Sequence, residues 1–291
     1  MRPFEQYRNL VDNRLSELLA ASDDALLVEA QAYTVLSDAP RYRPILLLCS
    51  AKSFGRTPKS VLDAACAIEL VHSATIMISD MPSVEFTLSR RDQLPAYRMF
   101  GGACSILAAC ALFGSAFKLV SSNLERLKIE KPKAMDAIGC MSDAIGLDGL
   151  FSGIWKEYRL TENRMELIQD IHAKRTALLF SIAARIGGIL GGARKSELGM
   201  LEVCGRNIGL AVRIIEDIWE YWEGQDSSRK PTRKGLRPAN IVKLMGQETA
   251  REMAKNLIVS SQEAIKPLGK SANTLLSFAD YILATGLVRK A

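Results

Sequence analysis

Two groups of carboxylate side chains stand out because each lies in an apolar part of the sequence. Asp80 and Glu85 follow a long apolar run, and Glu216, Asp217 and Glu220 lie among isoleucines and a tryptophan. Carboxylates are rarely placed in such surroundings unless positive charge meets them. If the two groups face each other, their oxygens could hold divalent metal ions, and the metal could hold a phosphorylated substrate.

The spacing of the second group predicts one face of a helix. Glu216 and Glu220 are one turn apart, with Asp217 beside them. Carboxylates at that spacing can share a hard cation, and Mg²⁺ needs few of them because it keeps its waters and bridges to a diphosphate. The apolar neighbours Ile218 and Trp219 favour this interpretation over the alternative, a solvated acidic face at a helix end.

The first group predicts a turn rather than a continuous helix. Pro82 lies between Asp80 and Glu85, so a helix that ends near Asp80 would let Glu85 fold back towards it. Arg90 and Arg91 follow closely, and adjacent arginines at such a place favour an anionic ligand. A solvated loop is the alternative for this segment.

The composition favours a folded chain with an anionic ligand. Of the 291 residues, 48% are hydrophobic and 24% are charged, which allows a sizeable core and excludes a disordered chain. The net charge of +6 suits phosphates, nucleic acid or anionic lipid. The sequence has no run of Lys and Arg with interleaved aromatic residues, so we expect no nucleic-acid partner.

The sequence also predicts a cytoplasmic protein without a membrane span. The N-terminus lacks the apolar core of a signal peptide, and the longest apolar stretch, 176–192, holds Arg185 and four glycines. The six cysteines lie in apolar surroundings without CxxC spacing. We therefore expect them to be small buried side chains in a reducing compartment.

Helical periodicity dominates the segments that must position these residues, and strand-like alternation is almost absent. Apolar residues recur at helical steps in 10–19, 42–54, 60–80, 103–120, 164–186, 198–223, 238–258 and 272–288. The basic segment 224–238 predicts either a solvated linker or a flap that brings positive charge to a phosphate. No shift in composition marks a boundary, so we predict one all-α domain over residues 1–291.

Several segments resemble the trans-isoprenyl diphosphate synthases, also called polyprenyl synthetases. Residues 67–82 resemble the helix that leads into the family's first aspartate-rich motif, and 209–220 resemble the second motif. Residues 41–44 resemble an early Gly-Lys-Arg-x-Arg-Pro segment, and 172–176 a Lys-Thr stretch that reaches the allylic diphosphate. The resemblance implies a helical bundle around a central cavity, Mg²⁺ as cofactor, and a homodimer or a heteromer with an active synthase.

The resemblance also assigns roles to individual residues. Those implied to act on an allylic prenyl diphosphate or on isopentenyl diphosphate are Asp80, Asp217, Arg175 and Lys234 as catalytic residues, and Arg41, Arg90, Arg91, Tyr97, Thr176 and Arg213 as substrate-binding residues. The implied metal ligands are Asp80, Glu85, Glu216, Asp217 and Glu220. Ala74 and Thr75 correspond to positions that limit product length. Both are small, which indicates a product near geranylgeranyl size, with ordinary helix packing as the alternative.

The chain departs from the family pattern at the metal site. The leading aspartate of the first motif is replaced by Ser79, which removes a negative charge. The glutamine before the second motif is replaced by Arg213, one helical turn from Asp217. We expect Arg213 to be able to pair with Asp217 and to compete with a metal ion.

Further departures fall on the site that the family uses for isopentenyl diphosphate. The early lysine is replaced by Pro40 and an expected histidine by Tyr97, so Arg41 and Arg91 are the implied contacts that remain. Each lost charged contact to a phosphate costs about 1.5–3 kcal/mol. We therefore predict that allylic diphosphate binding is kept while condensation with isopentenyl diphosphate is impaired or redirected.

Three functions stay open at this point. The first is a working prenyltransferase, in which Mg²⁺ stabilises the leaving diphosphate and an alkene attacks the allylic cation. The second is a terpene-synthase-like enzyme that ionises a single prenyl diphosphate. The third is a non-catalytic or regulatory subunit of a heteromeric synthase, which Ser79 and Arg213 favour.

Overall fold

The computed structural model describes residues 2–20, 25–90, 93–225 and 237–287. Helices dominate these ranges, and the β-structure within them is limited to isolated bridges, one of which joins Arg90 and Gln93. The predicted all-α fold is confirmed.

The helices of the described residues follow one another with short connections. They are α1 Arg2–Leu19, α2 Ala25–Val35, α3 Tyr42–Ser53, α4 Leu62–Ser79, α5 Ala96–Phe100, α6 Gly102–Arg126, α7 Lys131–Ile145, α8 Leu150–Tyr158, α9 Met165–His172, α10 Leu178–Gly191, α11 Lys195–Gln225, α12 Val242–Met245, α13 Gln247–Ile265 and α14 Asn273–Gly286. Short 3₁₀ segments at Pro58–Val61 and Lys266–Ala272 precede α4 and α14.

The buried apolar side chains form one contiguous core that runs from Phe4 in α1 to Ile282 in α14. α10 packs against both α3 and α11, and α4 packs against α6. α4 is apolar on nearly all its sides, which suits its central position in this core. That the whole chain, residues 1–291, forms a single domain stays a prediction from the sequence.

The turn after α4 presents the first acidic group. α4 ends at Ser79, and Pro82 prevents the helix from continuing. The chain then folds back, because the Glu85 amide donates to the Ser79 carbonyl at 3.1 Å and the Thr87 amide to the Asp80 carbonyl at 3.3 Å. Glu85 therefore returns to the end of α4, as the sequence predicts.

A π-helical turn, Ala173–Ala177, joins α9 to α10. Such turns insert an extra residue into a helix and often occur at functional sites. A Cβ atom on Gly153 in α8 would lie 2.9 Å from the Arg175 nitrogen, and one on Gly209 in α11 would lie 2.6 Å from Cα of Ala177. Because glycine has no Cβ, α8 and α11 pack directly against the segment that carries Arg175.

Apolar periodicity does not reveal four of the helices in the described ranges, α2, α5, α7 and α8. The sequence of α2, ALLVEAQAYTV, is apolar on most of its sides, so no helical period marks it. α8 follows Gly149 and is short, which leaves little room for a repeated pattern.

Three helical stretches are long and apolar enough to cross a membrane by length and composition: Pro58–Ser79, Gly102–Arg126 and Lys131–Tyr158. The apolar window of the first is 72% buried inside the protein, whereas those of the others are 33% and 39% buried. The absence of a membrane-spanning segment stays a prediction from the sequence.

The cysteines differ from one another more than the sequence predicts. All six are free, and Cys49, Cys66 and Cys204 are buried as expected. Cys110 is exposed, so the expectation of a buried side chain is wrong at this position. The reason is that Cys110 lies on the outer face of α6, which is apolar but uncovered.

Candidate active site

A cavity of about 490 Å³ lies between α3, α4, α11, α14 and the π-helical turn. Apolar side chains such as Ile76, Val212 and Trp219 form part of its wall. The charged part of the wall contains more arginines than carboxylates: Arg8, Arg43, Arg90, Arg175, Arg213 and Arg237 against Asp38, Glu216, Glu220 and Glu223. The cavity therefore suits an anionic ligand with an apolar portion.

The second acidic group divides between two faces of α11. Glu216 and Glu220 share the face that lines the cavity, as their one-turn spacing predicts. Asp217 is fully buried and does not line the cavity, because its position on the helix turns it away. Its carboxylate accepts a hydrogen bond from the Ile241 amide at 2.9 Å and lies 3.2 Å from Nε2 of His172.

Arg213 forms the ion pair with Asp217 that their spacing predicts, with Nη2 2.6 Å from Oδ1. Burial by itself would raise the pKa of Asp217, but Arg213 and His172 outweigh burial and lower it. The carboxylate is thus held ionised beside the guanidinium group of Arg213. Breaking a buried pair by removing one partner costs about 3–5 kcal/mol.

Asp80 in the first acidic group is also paired with an arginine. It is buried at the C-terminal end of α4, where the helix dipole disfavours a negative charge. Arg90 compensates, donating from Nη2 at 2.6 Å and from Nε at 3.1 Å. Burial disfavours the charged form of Arg90, yet Asp80 raises its pKa above the usual value. Arg90 lines the cavity and Asp80 does not.

Arg175 in the π-helical turn lies between two carboxylates, Glu85 and Glu157. Burial would raise the pKa of Glu157, but Arg175, Arg213 and Arg237 together lower it. Arg175 lines the cavity, whereas Glu85 and Glu157 do not.

Arg237 is a further cation of the wall. Its backbone amide donates to Glu220 at 3.1 Å, and its Nε lies 3.4 Å from the same carboxylate. Burial would lower the pKa of Arg237, but Glu220, Glu85 and Glu157 raise it. The sequence reasoning missed Arg237 and Glu157, although Arg237 belongs to the basic segment proposed as a source of positive charge.

Arg41 takes a different position from the one predicted. Its side chain is buried and pairs with Asp12 at 2.7 Å and with Glu69 at 2.6 Å. Arg41 also donates to the Val35 carbonyl at 2.6 Å, and it does not line the cavity. The structure therefore places Arg41 among contacts between helices and not among cavity residues.

Arg43 and His72 line the cavity instead, and sequence reasoning missed both. Nη1 of Arg43 lies 3.2 Å from Nε2 of His72, and its guanidinium lies 4.5 Å from the centre of the Phe180 ring. Burial lowers the pKa of Arg43, although Glu216 and Glu69 act in the opposite direction. The signal for Arg43 was present in segment 41–44, but that segment does not say which arginine faces inwards.

The remaining predicted residues fall on both sides of the cavity wall. Thr75 and Thr176 line it, whereas Ala74 is buried behind it. Tyr97 does not line the cavity, and its hydroxyl donates to the Thr87 carbonyl at 3.0 Å. The predicted contacts Arg91 and Lys234 lie outside the described residues.

The fold and the cavity together define an all-α protein with an arginine-rich cavity. The sequence model of the polyprenyl synthetase family matches residues 24–273, so the chain belongs to the polyprenyl synthetase family. The resemblance seen in the sequence is thereby confirmed.

The relatives agree on a class of enzyme. A mitochondrial geranylgeranyl pyrophosphate synthase of Arabidopsis thaliana is 30% identical over 290 residues, covering 94% of this chain and 81% of the relative. The large subunit of a heterodimeric geranylgeranyl pyrophosphate synthase from the same plant is 27% identical, covering 94% and 76%. These matches support a trans-prenyltransferase.

Solved structures agree with the fold. An FPP/GFPP synthase of Zymomonas mobilis superposes with a TM-score of 0.83 at 25% identity, covering 97% of this chain and 98% of the other. A geranyltransferase of Legionella pneumophila gives a TM-score of 0.84 at 17% identity, covering 98% and 96%, which supports the fold alone.

Polyprenyl synthetases generally use Mg²⁺, but the described residues do not fit a magnesium cluster as they are arranged. No group of three or more His, Cys, Asp or Glu side chains within the described ranges could hold a metal ion. The structure does not bring together the predicted ligands, which are Asp80, Glu85, Glu216, Asp217 and Glu220. Three of them, Asp80, Glu85 and Asp217, lie behind the cavity wall and pair with arginines that line it. Ser79 does line the cavity, with a buried hydroxyl that has no described hydrogen-bond partner.

Proposed function

We propose that this cavity binds an allylic prenyl diphosphate and that the protein acts as a trans-prenyltransferase. The observation that carries the proposal is the convergence of arginines on a cavity that also has apolar walls. Guanidinium groups form short, paired hydrogen bonds to phosphate oxygens, and an apolar wall accepts a prenyl tail. Family membership supports the same class of substrate.

The arginines would act when the allylic carbon–oxygen bond breaks. The electron pair of that bond leaves with the diphosphate, whose growing negative charge Arg90, Arg175 and Arg213 would stabilise from fixed positions. The double bond of isopentenyl diphosphate then attacks the allylic cation, and the departed diphosphate takes the proton that is lost. Side chains held by ion pairs need little rearrangement during this step.

We expect isopentenyl diphosphate to bind less tightly than the allylic diphosphate, as the sequence predicts. Pro40 lines the cavity without supplying a charge, and Arg41 is engaged by Asp12 and Glu69. Arg43 lines the same cavity, beside His72. We expect Arg43 to be the main contact for the second diphosphate.

The proposal is tested by product analysis with the purified protein. Farnesyl diphosphate with isopentenyl diphosphate should give a longer prenyl diphosphate, and Arg43→Gln should raise the KM for isopentenyl diphosphate about tenfold or more. Arg206→Gln is the control, because Arg206 is exposed on α11. Recovery of unreacted substrates would contradict the proposal, and cyclised or hydrolysed products from farnesyl diphosphate alone would favour a terpene-synthase-like reaction.

A second candidate is a partner subunit without turnover of its own. The pairing of Asp80, Glu85 and Asp217 with arginines favours it, since these carboxylates are not presented to the cavity. One relative is itself named as a subunit of a heterodimeric synthase. Turnover by the protein alone would exclude this candidate, whereas stimulation of an active synthase by an inactive chain would support it.

Association with a second copy is part of the proposed function. The outer face of α6 carries an exposed stripe of small and apolar residues: Ala103, Ile106, Leu107, Cys110, Ala111 and Gly114. Uncovered apolar surface of this kind favours self-association. We expect Leu107→Glu to lower the mass measured by analytical ultracentrifugation to that of a monomer. Leu147→Glu, at a residue that is 92% exposed elsewhere, should leave the mass unchanged.

A further inference from the structure

Four ion pairs around the cavity share one orientation. In each of them the arginine lines the cavity and the carboxylate lies behind it: Arg90 in front of Asp80, Arg175 in front of Glu85 and Glu157, and Arg213 in front of Asp217. A site built to hold metal ions would present the carboxylates to the cavity. At these four pairs the site presents guanidinium groups, and the carboxylates hold them from behind.

The carboxylates behind the wall leave part of two arginines, Arg90 and Arg213, uncommitted. Arg90 uses Nε and Nη2 for Asp80, so its Nη1 is not committed to that carboxylate. The Nε of Arg213 is buried and has no described hydrogen-bond partner, although the residue lines the cavity. An unpaired buried donor is costly, and a ligand oxygen would satisfy it.

Two of the carboxylates that face the cavity have their negative charge partly offset by nearby arginines. Glu220 is paired with Arg237, and Glu216 lies 3.7 Å from Nη1 of Arg213. Among the described residues that line the cavity, arginines outnumber carboxylates six to four, and Arg43, beside His72, is one of these arginines.

From this arrangement we propose that the cavity binds the diphosphate group directly through its arginines, without a divalent cation. The proposal rests on the proposed function and changes how the substrate is held. Guanidinium groups match phosphate oxygens in geometry, and their ion pairs hold them in place before the ligand arrives. Arg213 has the central part, because it lines the cavity, is paired with Asp217 and has a buried Nε without a described hydrogen-bond partner.

Isothermal titration calorimetry of the full chain tests the proposal with inorganic pyrophosphate and with farnesyl diphosphate. Each ligand is titrated in an excess of EDTA and in Mg²⁺. We expect binding in both buffers, with affinities that agree within about threefold. In Arg213→Gln the affinity in EDTA should fall about tenfold or more, and Mg²⁺ should restore part of it.

Arg206→Gln is the matched control, since it makes the same change on the exposed side of the same helix. It should bind both ligands like the wild type. Arg213→Lys keeps the charge and should keep metal-free binding within about tenfold. If Arg213→Gln fails to fold, as judged by circular dichroism, Arg90→Gln replaces it with the same expected loss in EDTA.

The outcomes separate this proposal from the proposed function. Binding of farnesyl diphosphate in Mg²⁺ but not in EDTA would overturn metal-free binding and leave the proposed function standing. Wild-type affinity of Arg213→Gln in EDTA would also overturn it. If farnesyl diphosphate binds neither in EDTA nor in Mg²⁺, the proposed function itself is overturned. Electron paramagnetic resonance with Mn²⁺ adds an independent measurement, in which the wild type without ligand should show no tight site.

Discussion

The acidic group after α4 and the acidic group on α11 have similar compositions but are presented by different backbones. In the first group a turn lets both Asp80 and Glu85 lie behind the cavity wall against arginines. In the second, a continuous helix holds Asp217 inside and Glu216 and Glu220 on the cavity face. The comparison teaches that an acidic motif does not by itself tell whether its carboxylates face a ligand or support another side chain.

The largest expected effect on stability is a difference between two neighbouring residues of the second group, Asp217 and Glu216. Asp217→Ala removes the buried partner of Arg213 and the acceptor of the Ile241 amide, and should lower the free energy of unfolding by about 3–5 kcal/mol. Glu216→Ala, at a side chain that is 51% exposed, should change it by less than about 0.5 kcal/mol. Urea unfolding measures both. Equal effects would mean that the helix does not divide the group as described.

An intermediate effect is expected in the first group. Asp80→Ala should lower the free energy of unfolding by about 1.5–3 kcal/mol, because Arg90 loses a charged partner but keeps access to the cavity. A double-mutant cycle with Arg90→Ala should give a coupling energy of about 0.5–3 kcal/mol. A coupling near zero would show that the two residues do not form a pair in solution.

A smaller effect, spread over acidic pH, should come from Glu157 behind Arg175. Its pKa is lower in the folded protein than in the unfolded chain, so the unfolded state binds the proton more tightly. The contribution is complete above the ordinary glutamate pKa of about 4.3 and is lost as the pH falls towards the folded value. In Glu157→Gln the free energy of unfolding should therefore fall less steeply as the pH is lowered below about 4.3. Urea unfolding at a series of pH values measures this slope.

The control for this pH series is Glu162→Gln, at a side chain that is 70% exposed. It should leave the slope of stability against pH unchanged. If Glu157→Gln has the same slope as the wild type, the buried pair of Arg175 and Glu157 is not what loses stability in acid.

Local patterns predicted much of the fold and part of the site. The face shared by Glu216 and Glu220, and the ion pair of Arg213 with Asp217, follow from helical spacing alone. The fold-back of Glu85 follows from the helix end before Pro82. These features depend on residues that are close in sequence, which is why the sequence contains them.

The rest of the site depends on packing between distant segments. Whether Arg41 or Arg43 faces the cavity is set by where α3 begins, and Arg41 at its N-terminal end has a φ of 54° that turns it towards Asp12 and Glu69. Glu157 reaches Arg175 because α8 lies against the π-helical turn. No spacing in the sequence reports such contacts between helices.

The π-helical turn at Ala173–Ala177 has a consequence for how this chain tolerates changes in length. Deleting one residue there would restore a regular helix and rotate α9 relative to α10 by about 100°. Arg175 would then point away from Glu85 and Glu157, while α10 would keep its place in the core. This five-residue segment thus fixes the rotation of α9 relative to α10. We expect it to tolerate substitutions more readily than insertions or deletions.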